Sequence, residues 1–113
     1  MVAVRNEETL IRMFQALSDP YRLGMVSRLA RGPASVKELA ATNGVAMPSA
    51  VKHLKVLEDA GLVKSHKAGR VRTFQARPQA LRTIDSWLAE HKRMLNKAFD
   101  RLEQLMAEEP EKG

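Results

Sequence analysis

The sequence predicts a mainly α-helical fold with one small β-hairpin. The chain has 113 residues, the usual size of a single domain, and 44% of them are hydrophobic, which is enough to form a core. Along most of the chain, apolar residues recur at the three- and four-residue intervals of amphipathic helices. Between residues 62 and 76 the period changes to two, as in β-strands. We therefore expect four helices, a hairpin and then a long fifth helix.

The N-terminal part predicts two helices after a loose leader formed by residues 1–6. Residues 7–17 carry apolar side chains at helical spacing. Asp19 followed by Pro20 predicts the start of a second helix, because aspartate caps the N-termini of helices and proline fits their first turn. This second helix should end near Arg31. Its predicted inward residues are Leu23, Val26 and Leu29.

The middle of the chain predicts two more helices joined by a tight turn. Ser35 and Glu38 have the spacing of a capping box, which opens the first of them. The turn is marked by Gly44. The second helix should begin near Met47 and stop at Gly61, because glycine readily takes the left-handed conformation that closes a helix end. Two short helices around such a turn are typical of a helix-turn-helix.

The hairpin that follows has a basic tip. Residues 62–65 and 71–75 are the strand candidates, and Gly69 lies in the turn between them. A helix-turn-helix followed by a basic hairpin is the arrangement of a winged helix, and the combination is more specific than either part. After Pro78 a helical pattern runs to about residue 109, which at 1.5 Å per residue is about 45 Å. A helix of that length with an unbroken apolar stripe predicts contact with another chain.

Positive charge is concentrated in the same region. The net charge is +6, and between residues 50 and 82 eight cations face two acids, so this segment carries the whole excess. On the helix from Met47, Ala50, Leu54 and Leu57 share one face at about 100° per residue, and we expect this face to be buried. Lys52 and Lys55 lie on roughly the opposite face. Such a face can enter a DNA groove, with cations toward phosphates and short side chains toward base edges. A merely solvated face is the alternative for two isolated lysines; the basic hairpin favours DNA.

Three stretches resemble the ArsR (arsenical-repressor) family of small dimeric winged-helix repressors. They are residues 14–23 (FQALSDPYRL), residues 53–63 (HLKVLEDAGLV) and the Gly69-Arg70 tip. Pro48 and the long helix around Trp87 are similar to the metal-independent branch of the family. The resemblance implies a homodimer formed by the first and last helices. It also implies binding to an inverted-repeat operator and repression of the protein's own or a neighbouring gene.

The resemblance and the helix geometry together assign two sets of residues. The predicted DNA-binding residues are Met47, Pro48, Ser49, Val51, Lys52 and Lys55 on the helix and Lys67, Arg70 and Arg72 on the wing. The predicted dimer interface consists of Leu10, Phe14, Leu81, Ile84, Leu88, His91, Leu95, Phe99 and Leu102. The predicted organisation is one winged-helix domain with the first helix at 7–17, the helix-turn-helix at 35–60, the wing at 62–76 and the dimerisation helix at 79–109.

The sequence departs from the family pattern at one single residue and in one stretch of four residues. Many relatives have serine where this chain has Ala46, so the DNA-facing helix lacks a side-chain cap, a local loss of about 1 kcal/mol. Where metal sensors carry a cysteine-containing pair, this chain has Ala34, Ser35, Val36 and Lys37. The family's thiolate metal response therefore cannot be carried over.

Other classes of function are not expected. The chain has no cysteine, and its three histidines share no ligand spacing, so we predict no metal or other cofactor. His53 should pack under its helix and His91 at the dimer seam, where a metal site across the interface stays open. No nucleophile has a plausible base and no glycine-rich phosphate loop exists, which argues against an enzyme.

The sequence also bears on the location of the protein and on a possible effector. No apolar run is long enough to span a membrane and no secretory signal is evident, so a cytoplasmic protein is expected. The sequence does not identify a small-molecule effector, and a pocket along the C-terminal stripe stays open. The rival functions are a winged-helix module that binds proteins and a non-specific architectural DNA binder.

Overall fold

The computed structural model describes residues 2–108, with side chains described from residue 7 onward. It confirms the mainly helical fold with a small antiparallel hairpin and a long last helix. The described part divides into two compact units, one up to residue 81 and one from residue 82. The elements in chain order are α1 (Val2–Leu17), α2 (Pro20–Leu29), β1 (Ala34–Ser35), α3 (Val36–Asn43), α4 (Met47–Asp59), β2 (Val63–Ala68), β3 (Val71–Ala76) and α5 (Pro78–Glu108).

The first helix begins earlier than predicted. Residues 2–6 are helical, so the prediction of a loose leader is wrong for them, while Met1 lies outside the described residues. These residues include no glycine or proline that would break a helix, so α1 extends beyond its apolar pattern. The apolar periodicity begins only at residue 7, so it did not reveal these first helical residues.

The second helix begins as predicted, and its predicted inward face is confirmed in part, since Leu29 is buried and Val26 is half-buried. Oδ2 of Asp19 accepts hydrogen bonds from the backbone N–H groups of Tyr21 and Arg22, at 2.9 and 3.0 Å. The hydrogen bond from Arg22 is the main reason why the pKa of Asp19 is lowered. Leu23, predicted to face inward, is 51% exposed, and Met25 is fully buried instead. The buried positions of α2 are set by its packing between neighbouring elements, which its own sequence does not reveal.

The helix-turn-helix is formed by α3 and α4. The capping box is present: the backbone N–H of Ser35 donates to Glu38 at 2.8 Å, and Ser35 Oγ accepts from the backbone N–H of Glu38 at 3.1 Å. The first of these bonds, which the carboxylate itself accepts, is the main reason why the pKa of Glu38 is lowered. In the turn, Gly44 has φ of 65°, which a residue with a Cβ rarely adopts.

The fourth helix rests on three buried residues, as predicted. Ala50, Leu54 and Leu57 are essentially inaccessible to solvent. The helix closes at Gly61, whose φ is 78°, and the next N–H, of Leu62, donates to the carbonyl of Leu57 at 3.0 Å. As expected from Ala46, no side chain caps the N-terminus of α4. The helix therefore packs on the core through one face and leaves the opposite face exposed.

The hairpin belongs to a three-stranded antiparallel sheet in the order β1-β3-β2. The sequence indicated the two long strands but not β1, which pairs Ala34 with Phe74. Two residues are too few to show a period, so only pairing with β3 defines this strand. Phe74 and Val63 are buried at the base of the hairpin, while its tip projects into solvent.

Candidate nucleic-acid interface

The outer face of α4 carries the six predicted helix residues in exposed positions. All six are exposed and lie away from the buried face of the helix; they are Met47, Pro48, Ser49, Val51, Lys52 and Lys55. Lys55 Nζ lies 3.6 Å from a carboxylate oxygen of Asp59, one turn further on. Both side chains are well exposed, and such pairs contribute little in water, so Lys55 can exchange this partner for a phosphate.

A polar cluster under α4 fixes the helix against the first two helices. Arg22 Nε donates to the carbonyl of Ala16 at 2.7 Å, and its Nη1 lies 3.3 Å from Nδ1 of His53. The ring of Tyr21 lies 5.7 Å from that of His53. His53 therefore packs under the helix, as predicted. The role of Arg22 was not predicted from the sequence, because 31 positions separate it from His53.

The wing is tied to α4 by a short chain of hydrogen bonds. Arg72 Nη1 donates to Ser65 Oγ at 2.9 Å, and Ser65 Oγ donates to Oε2 of Glu58 on α4, also at 2.9 Å. Arg72 thus has a protein partner that its prediction as a DNA contact did not include. Lys67 and Arg70 are exposed near the hairpin tip, where Gly69 makes the turn.

The structure brings part of the predicted helix and wing residues onto one concave surface. A cavity of about 510 Å³ lies between α4 and the wing. The predicted DNA-binding residues that line it are Met47, Val51, Lys55, Arg70 and Arg72. The remaining four do not line it and lie on the outer faces of the same two elements.

The histidines do not converge on a metal site in the part of the chain that the structure describes. Among residues 2–108 no group of three or more histidine, cysteine, aspartate or glutamate side chains could hold a metal ion. The ring of His91 stacks on that of Trp87, with 4.2 Å between centroids, and its Nδ1 lies 2.8 Å from the Trp87 carbonyl oxygen. No helix of the described residues is long and apolar enough to cross a membrane.

The helix-turn-helix of α3 and α4, followed by the basic hairpin of β2 and β3, defines a winged helix-turn-helix protein of the DNA-binding class. A sequence family described as a helix-turn-helix domain matches residues 17–66. The chain is 44% identical over 73 residues to the HTH-type transcriptional regulator Rv2034 of Mycobacterium tuberculosis, a match that covers 65% of this chain and 68% of that protein.

Solved structures agree with this assignment. The crystal structure of an ArsR family transcriptional regulator, RHA00566, is 43% identical with a TM-score of 0.73, and the match covers 80% of this chain and 93% of that one. The homodimeric winged helix-turn-helix DNA-binding domain Mb0332 from Mycobacterium bovis has a TM-score of 0.67 at 20% identity, over 81% of this chain and 87% of that one. The second similarity shows the fold. From the first match and the similarity to Rv2034, the chain belongs to the ArsR family of transcriptional regulators, which are DNA-binding proteins and not enzymes.

Proposed function

We propose that the protein is a cytoplasmic homodimeric repressor that binds an inverted-repeat operator and controls its own gene or a neighbouring one. The main support for this function is the exposed face of α4, on which Lys52 and Lys55 lie opposite the buried face of the helix. Two such helices in a dimer enter successive major grooves, about 34–36 Å apart, while the wings contact the flanking backbone. Bound in this way over a promoter, the dimer represses by occluding it.

The proposed dimer is supported by apolar side chains that stay exposed in each unit. In the unit that begins at residue 82, a stripe along α5 is open to solvent, and its members among the predicted residues are Leu88, His91, Leu95, Phe99 and Leu102. In the first unit Phe14 and Leu81 are exposed, which suits the same role. Ile84 is half-buried. Long apolar stripes of this kind are normally covered by a partner, here a second copy. The similar domain from M. bovis is itself homodimeric.

The prediction that Leu10 lies in the dimer interface is wrong. Its side chain is 8% exposed and belongs to the core of its own chain, so it offers almost no surface to a partner. The next residue, Ile11, is exposed on α1 together with Phe14. Helical spacing alone could not show which side of α1 the core would occupy, because apolar residues lie on both sides.

The proposed function is tested by footprinting on the promoter upstream of the protein's own gene. We expect protection of two segments about one helical turn apart, at protein concentrations far below those needed on a scrambled duplex. Equal affinity for both duplexes would instead indicate an architectural DNA binder. Absence of binding to either would favour the protein-interaction module.

Removing a cation from the wing tip should weaken DNA binding almost uniformly across sequences. We expect Arg70→Ala to reduce the slope of log K against log salt by about 0.9 for each phosphate that the protein no longer neutralises, or about 1.8 in a dimer. The measurement is fluorescence anisotropy over a series of salt concentrations, on the operator and on a scrambled duplex. Arg101→Ala removes the same charge from α5 and should leave the slope unchanged. A sequence-selective decrease in affinity with an unchanged slope would mean that the wing contacts bases.

A further inference from the structure

The concave surface between α4 and the wing has an apolar floor that DNA binding does not explain. Val51 on α4 and Val71 on the wing are 52% and 54% exposed, and both line the cavity of about 510 Å³ described above. Val36 from α3, which is half-buried, and the mostly buried Phe74 line it too. Contact with thymine methyl groups accounts for Val51, which lies on the outer side of a groove-binding helix. It does not account for Val36 and Val71, which come from two other elements. Phe74 is 4% exposed and belongs mainly to the core.

The charges around this floor are strongly unbalanced. The cavity is lined by four cationic side chains and one acidic one: Lys37, Lys55, Arg70, Arg72 and Glu58. The carboxylate of Glu58 already accepts a hydrogen bond from the hydroxyl of Ser65, which in turn accepts one from Arg72. The excess of positive charge beside apolar surface therefore favours a ligand that carries negative charge at one end.

The dimensions suit a small molecule. Ligand sites are typically clefts of about 300–1,000 Å³, mostly apolar, with a few polar groups that fix orientation. We propose that this cavity binds an amphipathic organic anion, with an aromatic or aliphatic body on the valines and a carboxylate or sulfonate among the cations. Binding of the anion to this cavity does not require that the protein binds DNA.

Occupancy of the cavity should also exclude DNA, and this consequence rests on the proposed function. Lys55 and Arg70 line the cavity and are among the residues proposed to contact DNA. A cation neutralised by a bound anion cannot release counterions from a phosphate. A ligand body over Val51 also occupies the space in which a base edge would approach α4. The cavity ligand is thus an effector that releases the repressor from its operator.

Binding is tested with 8-anilinonaphthalene-1-sulfonate, whose fluorescence rises in apolar sites. We expect the full-length protein to bind one molecule per chain saturably. The neutral N-phenyl-1-naphthylamine, which has the same aromatic body without the sulfonate, should bind about tenfold more weakly. Val71→Gln should lower the affinity for the sulfonate by about tenfold, since burying a valine is worth that order of free energy. Leu23→Gln changes an equally exposed residue outside the cavity and should have no effect; thermal melts confirm that both variants are folded.

The same probe tests the link to DNA. Added to a complex of the protein with a labelled duplex, the sulfonate should lower the anisotropy of the duplex for the wild type but not for Val71→Gln at the same concentration. No saturable binding, or binding that Val71→Gln leaves intact, would overturn the site. Binding without displacement of the duplex would overturn the effector role. If the wild type bound no DNA at all, the proposed function would fail, and the fluorescence titration would still decide whether the cavity is a site.

Discussion

Leu95→Glu is expected to convert the dimer into a monomer and to lower operator affinity by at least about 100-fold. Leu95 is 56% exposed in the middle of the α5 stripe. Burial of a leucine contributes about 1.5–3 kcal/mol, and a dimer contains two such side chains. Each glutamate also places a charge in an apolar interface, which costs more unless it is paired. A monomer presents a single α4 and therefore binds only one half-site of the operator.

This result is measured by sedimentation equilibrium together with anisotropy on an operator duplex. The matched control is Lys97→Ala, which changes the formal charge by the same amount at a position about 200° around the helix from Leu95. It should remain dimeric and bind DNA normally. A dimer that survives Leu95→Glu would show that the stripe on α5 is not the interface between subunits.

The double substitution Lys52→Ala and Lys55→Ala is expected to abolish tight operator binding without loss of stability. A lysine that contacts a guanine edge contributes about 1–3 kcal/mol of discrimination, and a dimer carries two copies of each. Both side chains are exposed, and they point away from Leu54 and Leu57, so the core is undisturbed. The melting temperature should therefore stay within about 5 °C of the wild type, because each exposed substitution changes stability by less than about 0.5 kcal/mol.

Mobility shifts on operator and scrambled duplexes distinguish how the two lysines act. The single variants show whether one base position loses its specificity, as a base contact requires, or whether all sequences weaken alike, as a phosphate contact requires. Lys97→Ala again serves as the control for charge. Unchanged affinity in the double variant would contradict the assignment of α4 as the DNA-contacting helix.

The sequence predicted those parts of the fold whose signals are local. The caps at Asp19 and Ser35 act on backbone groups two or three residues away, so spacing alone was sufficient. The buried face of α4 was predicted because Ala50, Leu54 and Leu57 share one side of the helix and the opposite side is polar. The element order followed from these signals together with the change of period at residue 62.

Features that depend on distant partners were not predictable in this way. Leu10 and Leu23 were assigned to the wrong sides of their helices, because both helices carry apolar residues around much of their circumference. β1 exists only through its pairing with β3, and Arg22 acts on α4 across 31 residues. The cavity combines side chains from α3, α4 and β3, and no sequence period connects them.

Selection of binding sites from a library of random-sequence duplexes tests the central claim most directly. The claim is that a dimer recognises a DNA sequence through its two α4 helices. It predicts enrichment of an inverted repeat whose half-site centres are about 10–10.5 base pairs apart. Recovery of a library no different from the starting pool, or of a single unrepeated site, would contradict it.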